Sequence, residues 1–258
     1  MHDTKRCLFA LLLPLATLLG CTIEERCYQS ADCPAPQICT AKGSCAWQCI
    51  EDRECGPGFA CVGHVCRLAP GDGGVGDGGP ACPSDMVPVS SAFCIDRYEA
   101  SRPDATAVSA GVSETAATSR AGVLPWQVRD NALAQAACGA AGIRLCFPEE
   151  WRLACGGQAG LAYSYGNTYD PTACNGIDAF GRTAFHLTPT GSFPRCVSPE
   201  GAYDLNGNLW EHVNGGTDST VRGGAYNCSD SATYHRCDYI PGSWSPLARG
   251  FRCCRGLR

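Results

Sequence analysis

Long apolar runs are missing from this sequence beyond its first twenty residues. No later segment approaches the ~20 consecutive apolar residues of a membrane-spanning helix, so none is expected there. Charge is also scarce: Asp, Glu, Lys and Arg make up 17% of 258 residues, below the usual level of about a quarter. The 25 acidic residues outnumber the 20 basic ones, for a net charge of −5. With no basic run to offset that balance, a general nucleic-acid binder is not expected. The five histidines are scattered, without the H-x-x-x-H or H-E-x-x-H spacing of a catalytic zinc site. A G-x-S-x-G elbow and a phosphate-binding P-loop are missing as well.

Cysteine and glycine are present in excess, at 21 and 31 residues. So many thiols would stabilise little in a reducing cytosol, which points to an oxidising compartment. The N-terminus agrees. Lys5 and Arg6 form a short basic region, and Cys7 to Leu19 is an apolar stretch of thirteen residues, too short to span a bilayer comfortably. It ends in Leu18-Leu19-Gly20-Cys21, which resembles a bacterial lipobox. Such signals imply cleavage before the cysteine and lipidation of it. Residues 1–20 are therefore expected to be a signal peptide. Cys21 would be the lipid anchor of a globular body on a membrane of the cell envelope.

Residues 21–67 hold a repeat. Cys27, Cys33, Cys39 and Cys45 are each separated by five residues, and Cys49, Cys55, Cys61 and Cys66 follow at nearly the same spacing. A unit of about twenty residues is too small to fold on apolar burial alone. Two disulfides per unit would substitute for the missing core, with three pairings open. Zinc is disfavoured: most of these cysteines, Cys45 and Cys49 being an exception, lack knuckle spacing, and the compartment is oxidising. Residues 68–81 are a Gly-rich linker, unable to bury enough surface to order itself.

Residues 82–258 form the main body. Asp130 to Ala141 is Ala-rich, with Asp130 as a candidate N-cap and Gly142 as a stop. A second helix is expected from Pro148, with Glu149 and Glu150 in its first turn, to about Cys155 before Gly156-Gly157. The remainder reads as short strands and loops, an irregular α+β domain.

Several segments, in order, carry a resemblance. They are Met86-Val87-Pro88-Val89; Phe93 to Ser101; Ala136-Ala137-Cys138; Gly142-Ile143-Arg144-Leu145; Glu150 to Cys155; and Tyr163-Ser164-Tyr165-Gly166-Asn167. Gly201-Ala202-Tyr203-Asp204-Leu205-Asn206-Gly207-Asn208-Leu209-Trp210-Glu211, Arg222-Gly223-Gly224-Ala225-Tyr226 and Arg249-Gly250-Phe251-Arg252 follow. Together they resemble the formylglycine-generating-enzyme, or sulfatase-modifying-factor, family. The resemblance implies an irregular C-type-lectin-like α+β fold.

Aerobic members of that family oxidise a cysteine of a client sulfatase with oxygen and Cu(I), the metal being held by two thiolates, a donor set that suits it. The first copper position matches Cys228. The second falls at about Ala232-Thr233, which offers no sulfur, and the family serine is Ala225. By resemblance, Cys155 pairs with Cys237, and Cys138 with Cys253 or Cys254. Cys82–Cys94 and Cys174–Cys196 are further plausible pairs, and Cys146 takes the spare member of Cys253/Cys254. Cys228 is left over as the candidate catalytic thiol. The resemblance also implies a Ca²⁺ site at Asp204, Gly207, Leu209 and Glu211. The alternative is a turn whose Glu211 and Trp210 pack and hydrogen-bond inside the fold.

The leading expectation is a noncatalytic envelope lipoprotein that serves binding, of a protein, peptide or glycan, or structure. The alternative is a formylglycine-generating oxidoreductase, which would need Cu(I).

Overall fold

The computed structural model describes residues 38–39, 45–46, 49–55, 59–62, 65–68, 82–214, 221–241 and 247–256. The expected signal peptide, Cys21, most of the first four-cysteine unit and the linker lie outside the described residues. Among the described residues, no helix is long and apolar enough to cross a membrane.

The cysteine-rich part pairs β1 (Ile38–Cys39) with β2 (Cys45–Ala46), and β3 (Phe59–Val62) with β4 (Val65–Leu68), both antiparallel. In the second unit Cys49 is bonded to Cys61 and Cys55 to Cys66. First joins third and second joins fourth, the choice that spacing leaves open.

The body begins with β5 (Met86–Val89), β6 (Phe93–Asp96), β7 (Ala100–Ser101) and β8 (Thr118–Ser119). Helix α1 (Asn131–Ala140) starts where Asp130 accepts the Ala132 amide at 2.7 Å, satisfying one of the unpaired first-turn donors. Its buried side is Asn131, Ala134, Ala137 and Cys138, the spacing of one helical face. Strand β9 (Arg144–Leu145) leads to α2 (Pro148–Gly156). Proline opens that helix, the Glu150 carboxylate accepts the Phe147 amide at 2.9 Å, and Gly157 at φ 61° ends it. Then come β10 (Trp210–His212), β11 (Val221–Arg222), the short α3 (Ser231–Tyr234), β12 (Arg249–Phe251) and β13 (Cys253–Gly256).

Two small sheets organise these pieces. One is antiparallel, in the order β5-β6-β13-β9; the other is β11-β10-β12, with β10 and β12 parallel. The last strand of the body thus closes against its second. Adjacent residues of a strand face opposite sides, and β13 uses this. Cys253 lies in the apolar cluster of Trp126, Ala137, Leu145 and Phe251, whereas Cys254 lies with Val87, Ile95, Trp151 and Leu205. Accordingly Cys253 is bonded to Cys138 of α1, and Cys254 to Cys146 just before α2. Strand parity settles which of the neighbouring cysteines takes which partner. Cys82–Cys94, Cys155–Cys237 and Cys174–Cys196 are also bonded. The result is a mixed helix-and-sheet body with few helices, behind a disulfide-rich N-terminal region.

Candidate functional site

The turn Asn206-Gly207-Asn208 is where the loops of the body meet. Asn206 accepts the Ser164 amide at 2.7 Å and donates to the His235 carbonyl at 2.5 Å. Asn208 donates to Glu99 at 2.5 Å and accepts from Asn175 at 2.9 Å. Gly207 has φ 80°, and a Cβ there would lie 2.3 Å from the Asn175 carbonyl oxygen. Only glycine tolerates both conditions.

Beneath the turn lies a buried charge centre. Arg252 is fully buried, and its Nε and Nη2 donate to the two Glu211 oxygens at 2.7 and 2.6 Å. Its Nη1 donates to the Asp96 carbonyl at 3.0 Å, and Nη2 also to the Tyr203 carbonyl at 2.8 Å. The indole N–H of Trp151 donates to Glu211 at 2.6 Å. Asp96, Glu99 and Asp204 are buried close by. Asp96 accepts the Cys253 amide at 2.7 Å, Glu99 the Leu209 amide at 3.0 Å, and Asp204 the Gly191 amide at 2.6 Å.

The four positions that the resemblance implies for Ca²⁺ do not fit that ion here. Both oxygens of Glu211 are taken by a guanidinium and an indole. A bound divalent ion needs those oxygens directly, and the cation that faces them is Arg252. Asp204 is committed to a backbone amide, and the glycine at 207 is required by the approach of Asn175. Asp204, Gly207, Leu209 and Glu211 are thus brought onto one segment as structural members of the turn. Among the described residues, the single group of three His, Cys, Asp or Glu side chains at metal-ligand distances is Cys49, Cys55 and Cys66, all in disulfides.

Burial pushes the carboxyls of Asp96 and Asp204 up to about 7, and that of Glu99 well above its usual range. Burial lowers His235 to about 4. These shifts have opposite consequences. A carboxyl with a raised pKa stabilises the fold below its unfolded value near 4, and that stability is lost as pH rises through 7. His235 works the other way, and its contribution is lost as pH falls from about 6.5 through 4. Three carboxyls outweigh one imidazole. The urea midpoint is therefore expected to be higher at pH 5 than at pH 7.5. Asp204→Asn should flatten that difference; an equal slope in the variant would rule Asp204 out as a source.

Cys228 sits on the loop between β11 and α3. Gly223 and Gly224, at φ 88° and 74°, shape its entry; a Cβ would lie 2.5 Å from the Leu205 carbonyl oxygen at the first and 2.4 Å from the His235 ring at the second. The Cys228 side chain is free of disulfides, 6% exposed, and packed with Leu209, Trp210, Ala225 and Tyr239. Its sulfur accepts the Ala225 amide at 3.1 Å. Burial pushes the thiol up to about 12, against the pull of hydrogen bonds from Ala225 and Trp210. A thiol held there is protonated at neutral pH and makes a poor nucleophile.

The second copper position lies on α3. Ala232 offers only its carbonyl, which accepts the Tyr163 hydroxyl at 2.5 Å, and Thr233 lies within the cap of Asp230. The next sulfur, Cys237, is bonded to Cys155. A two-thiolate Cu(I) site does not fit these residues. The neighbours His235 and Arg236 do not activate the thiol through any hydrogen bond found here: the His235 ring meets the Ala225 carbonyl at 3.2 Å, and Arg236 pairs with Asp238 at 2.8 Å.

Glu99 and Arg252 fall within the sequence motifs, but spacing assigns neither of them a role. For Arg252 a signal was available, since it is a charged residue between Phe251 and Cys253. The partners of Glu99 and Arg252 lie 110 and 41 residues away, a separation that spacing does not reveal.

Residues 82–257 match the family described as the sulfatase-modifying factor enzyme 1-like domain. Among solved structures, PvdO from Pseudomonas aeruginosa is similar at 16% identity over 64% of this chain and 80% of that one, with a TM-score of 0.43. CarF is similar at 16% identity over 64% and 87%, with a TM-score of 0.41. The I1 variant of the Major Tropism Determinant is similar at 16% identity over 68% and 53%, with a TM-score of 0.42. No curated protein matches.

Proposed function

The chain belongs to the sulfatase-modifying factor enzyme 1-like family, and from that premise we propose that it is a noncatalytic member, an envelope lipoprotein held by acyl chains on Cys21 whose body serves binding. The state of Cys228 carries this reading. The family's oxidation of a cysteine needs a thiolate pair that takes up Cu(I). This body offers one thiol, pushed up to about 12 by burial, with alanine and threonine where the second sulfur would be. The seven disulfides among the described residues support an oxidising compartment, in keeping with the lipobox-like Leu18 to Cys21. Family placement favours the scaffold more strongly than the activity.

The same placement keeps formylglycine generation as the second reading, and one experiment separates the two. The full chain, with its disulfides formed and supplied with Cu(I) and oxygen, is incubated with a peptide bearing a Cys-x-Pro-x-Arg motif. The expected result is no aldehyde by mass spectrometry and no tight Cu(I) uptake that depends on Cys228. Catalytic aldehyde formation that is lost in Cys228→Ser would make the protein an oxidoreductase with a one-cysteine site.

A further inference from the structure

Away from Cys228 and the charge centre, two loops flank a wide, open cleft of about 990 Å³. One loop runs from Ser164 to Pro171 and the other from Pro194 to Pro199. Its size is that of an ordinary small-molecule site. Tyr165 forms part of the wall. Behind it, the buried Tyr163 stacks on Tyr165 at 5.3 Å and 12°, and the Tyr163 hydroxyl is fixed on the Ala232 carbonyl. Tyr165 is thus held as a rigid flat surface. Burial pushes its phenol up to about 12, so it is neutral.

The polar groups of the cleft are also particular. Asp170 and Arg195 form an ion pair at 2.6 Å, and Arg195 donates to the Thr172 hydroxyl at 2.7 Å. The Asp170 carboxyl is held down to about 2, first by the Thr172 amide and then by Arg195. The charge on the cleft is therefore cancelled within it at any physiological pH. Arg195 is 60% exposed and keeps further N–H donors at its edge. Ser164, 2% exposed, backs the wall of the cleft.

We propose that this cleft binds a neutral oligosaccharide, which deepens the reading of the body as a binding module and rests on it. A flat tyrosine face suits the C–H face of a pyranose ring. The paired Asp170 carboxylate and Arg195 guanidinium offer an acceptor and donors to neighbouring hydroxyls. The internal ion pair gives a charged ligand no uncompensated partner. Asp170 is the one carboxylate among the lining residues, and glycoside hydrolysis by the usual route takes two. The cleft therefore holds a saccharide without cleaving it.

The test is titration of the full chain, solubilised in detergent, with chitotriose, cellotriose, maltotriose and mannotriose, followed by calorimetry. Trigalacturonate and a proline-rich decapeptide serve as comparators. Saturable binding of at least one neutral trisaccharide is expected. It should weaken at least tenfold in Tyr165→Leu, which keeps the apolar bulk but not the ring, and in Arg195→Met. The exposed Val112→Ser is the control. The proposal is overturned if no neutral trisaccharide binds, if binding is unchanged in both variants, or if the peptide alone binds with the same sensitivity. A failure here with no aldehyde in the oxidation assay removes the ligand class and leaves the noncatalytic reading standing.

Discussion

Replacing Arg252 by methionine is expected to lower the stability of the full chain by about 3–5 kcal/mol, the usual cost of stranding one member of a buried ion pair. The reason is local. Arg252 is the cation that faces Glu211, and it lies close enough to Glu99 and Asp204 for their charges to act on it. It also supplies donors to the carbonyls of Asp96 and Tyr203, which would be left unmet. Glu211→Gln should cost less, because neighbouring acids still face the guanidinium. The double variant Glu211→Leu with Arg252→Met should recover part of the loss, since a well-packed apolar pair commonly matches a buried ionic one. Urea unfolding of Arg252→Met, Glu211→Leu and their double gives the coupling energy directly. A loss below about 1 kcal/mol in Arg252→Met, or simple additivity in the double, would show that the pair does not hold the body together.

That centre marks the boundary of what the sequence reveals. The Gly-Asn-Leu-Trp-Glu segment was legible as a tight turn with an acid at its end, because Gly207 and the flanking asparagines have few other uses at that spacing. The identity of the cation was not. Carboxylates on one segment look the same in one dimension whether they face a metal ion or a guanidinium from a distant strand. Helix ends were legible because capping is local: Asp130, Pro148 and Gly157 each act within a few residues. Burial was harder to read. A candidate catalytic thiol at position 228 and an inert one share the same letter, and only the packing of Trp210 and Tyr239 around it separates them. The cleft was invisible for a related reason. Its loops lie about thirty residues apart, and each alone reads as an ordinary turn-rich stretch.

Removing the Cys138–Cys253 bond by Cys138→Ala with Cys253→Ala is expected to cost about 2.5 kcal/mol, far less than its long loop suggests. In the loop-entropy picture a closure of ~100 residues is worth about 4.7 kcal/mol, and Cys138–Cys253 spans 115. The Cys146–Cys254 bond runs almost alongside it. While that bond is intact, the unfolded chain can pass from Cys138 to Cys253 through it, along eight residues on one side and one on the other. The first bond then closes only this short remaining path. By symmetry, Cys146→Ala with Cys254→Ala should cost about as much or somewhat more. Removing both is different. Among the described residues, the covalent path from the C-terminal strands back to the helices then runs only through Cys155–Cys237, deeper in the loop, and the combined loss should reach about 6 kcal/mol. Urea midpoints under non-reducing conditions compare the three variants. Two single losses near 5 kcal/mol each would mean that the bonds act independently and that native packing, not chain entropy, sets their value. A double variant no worse than either single one would mean that β13 is held by its sheet and by Arg252 alone.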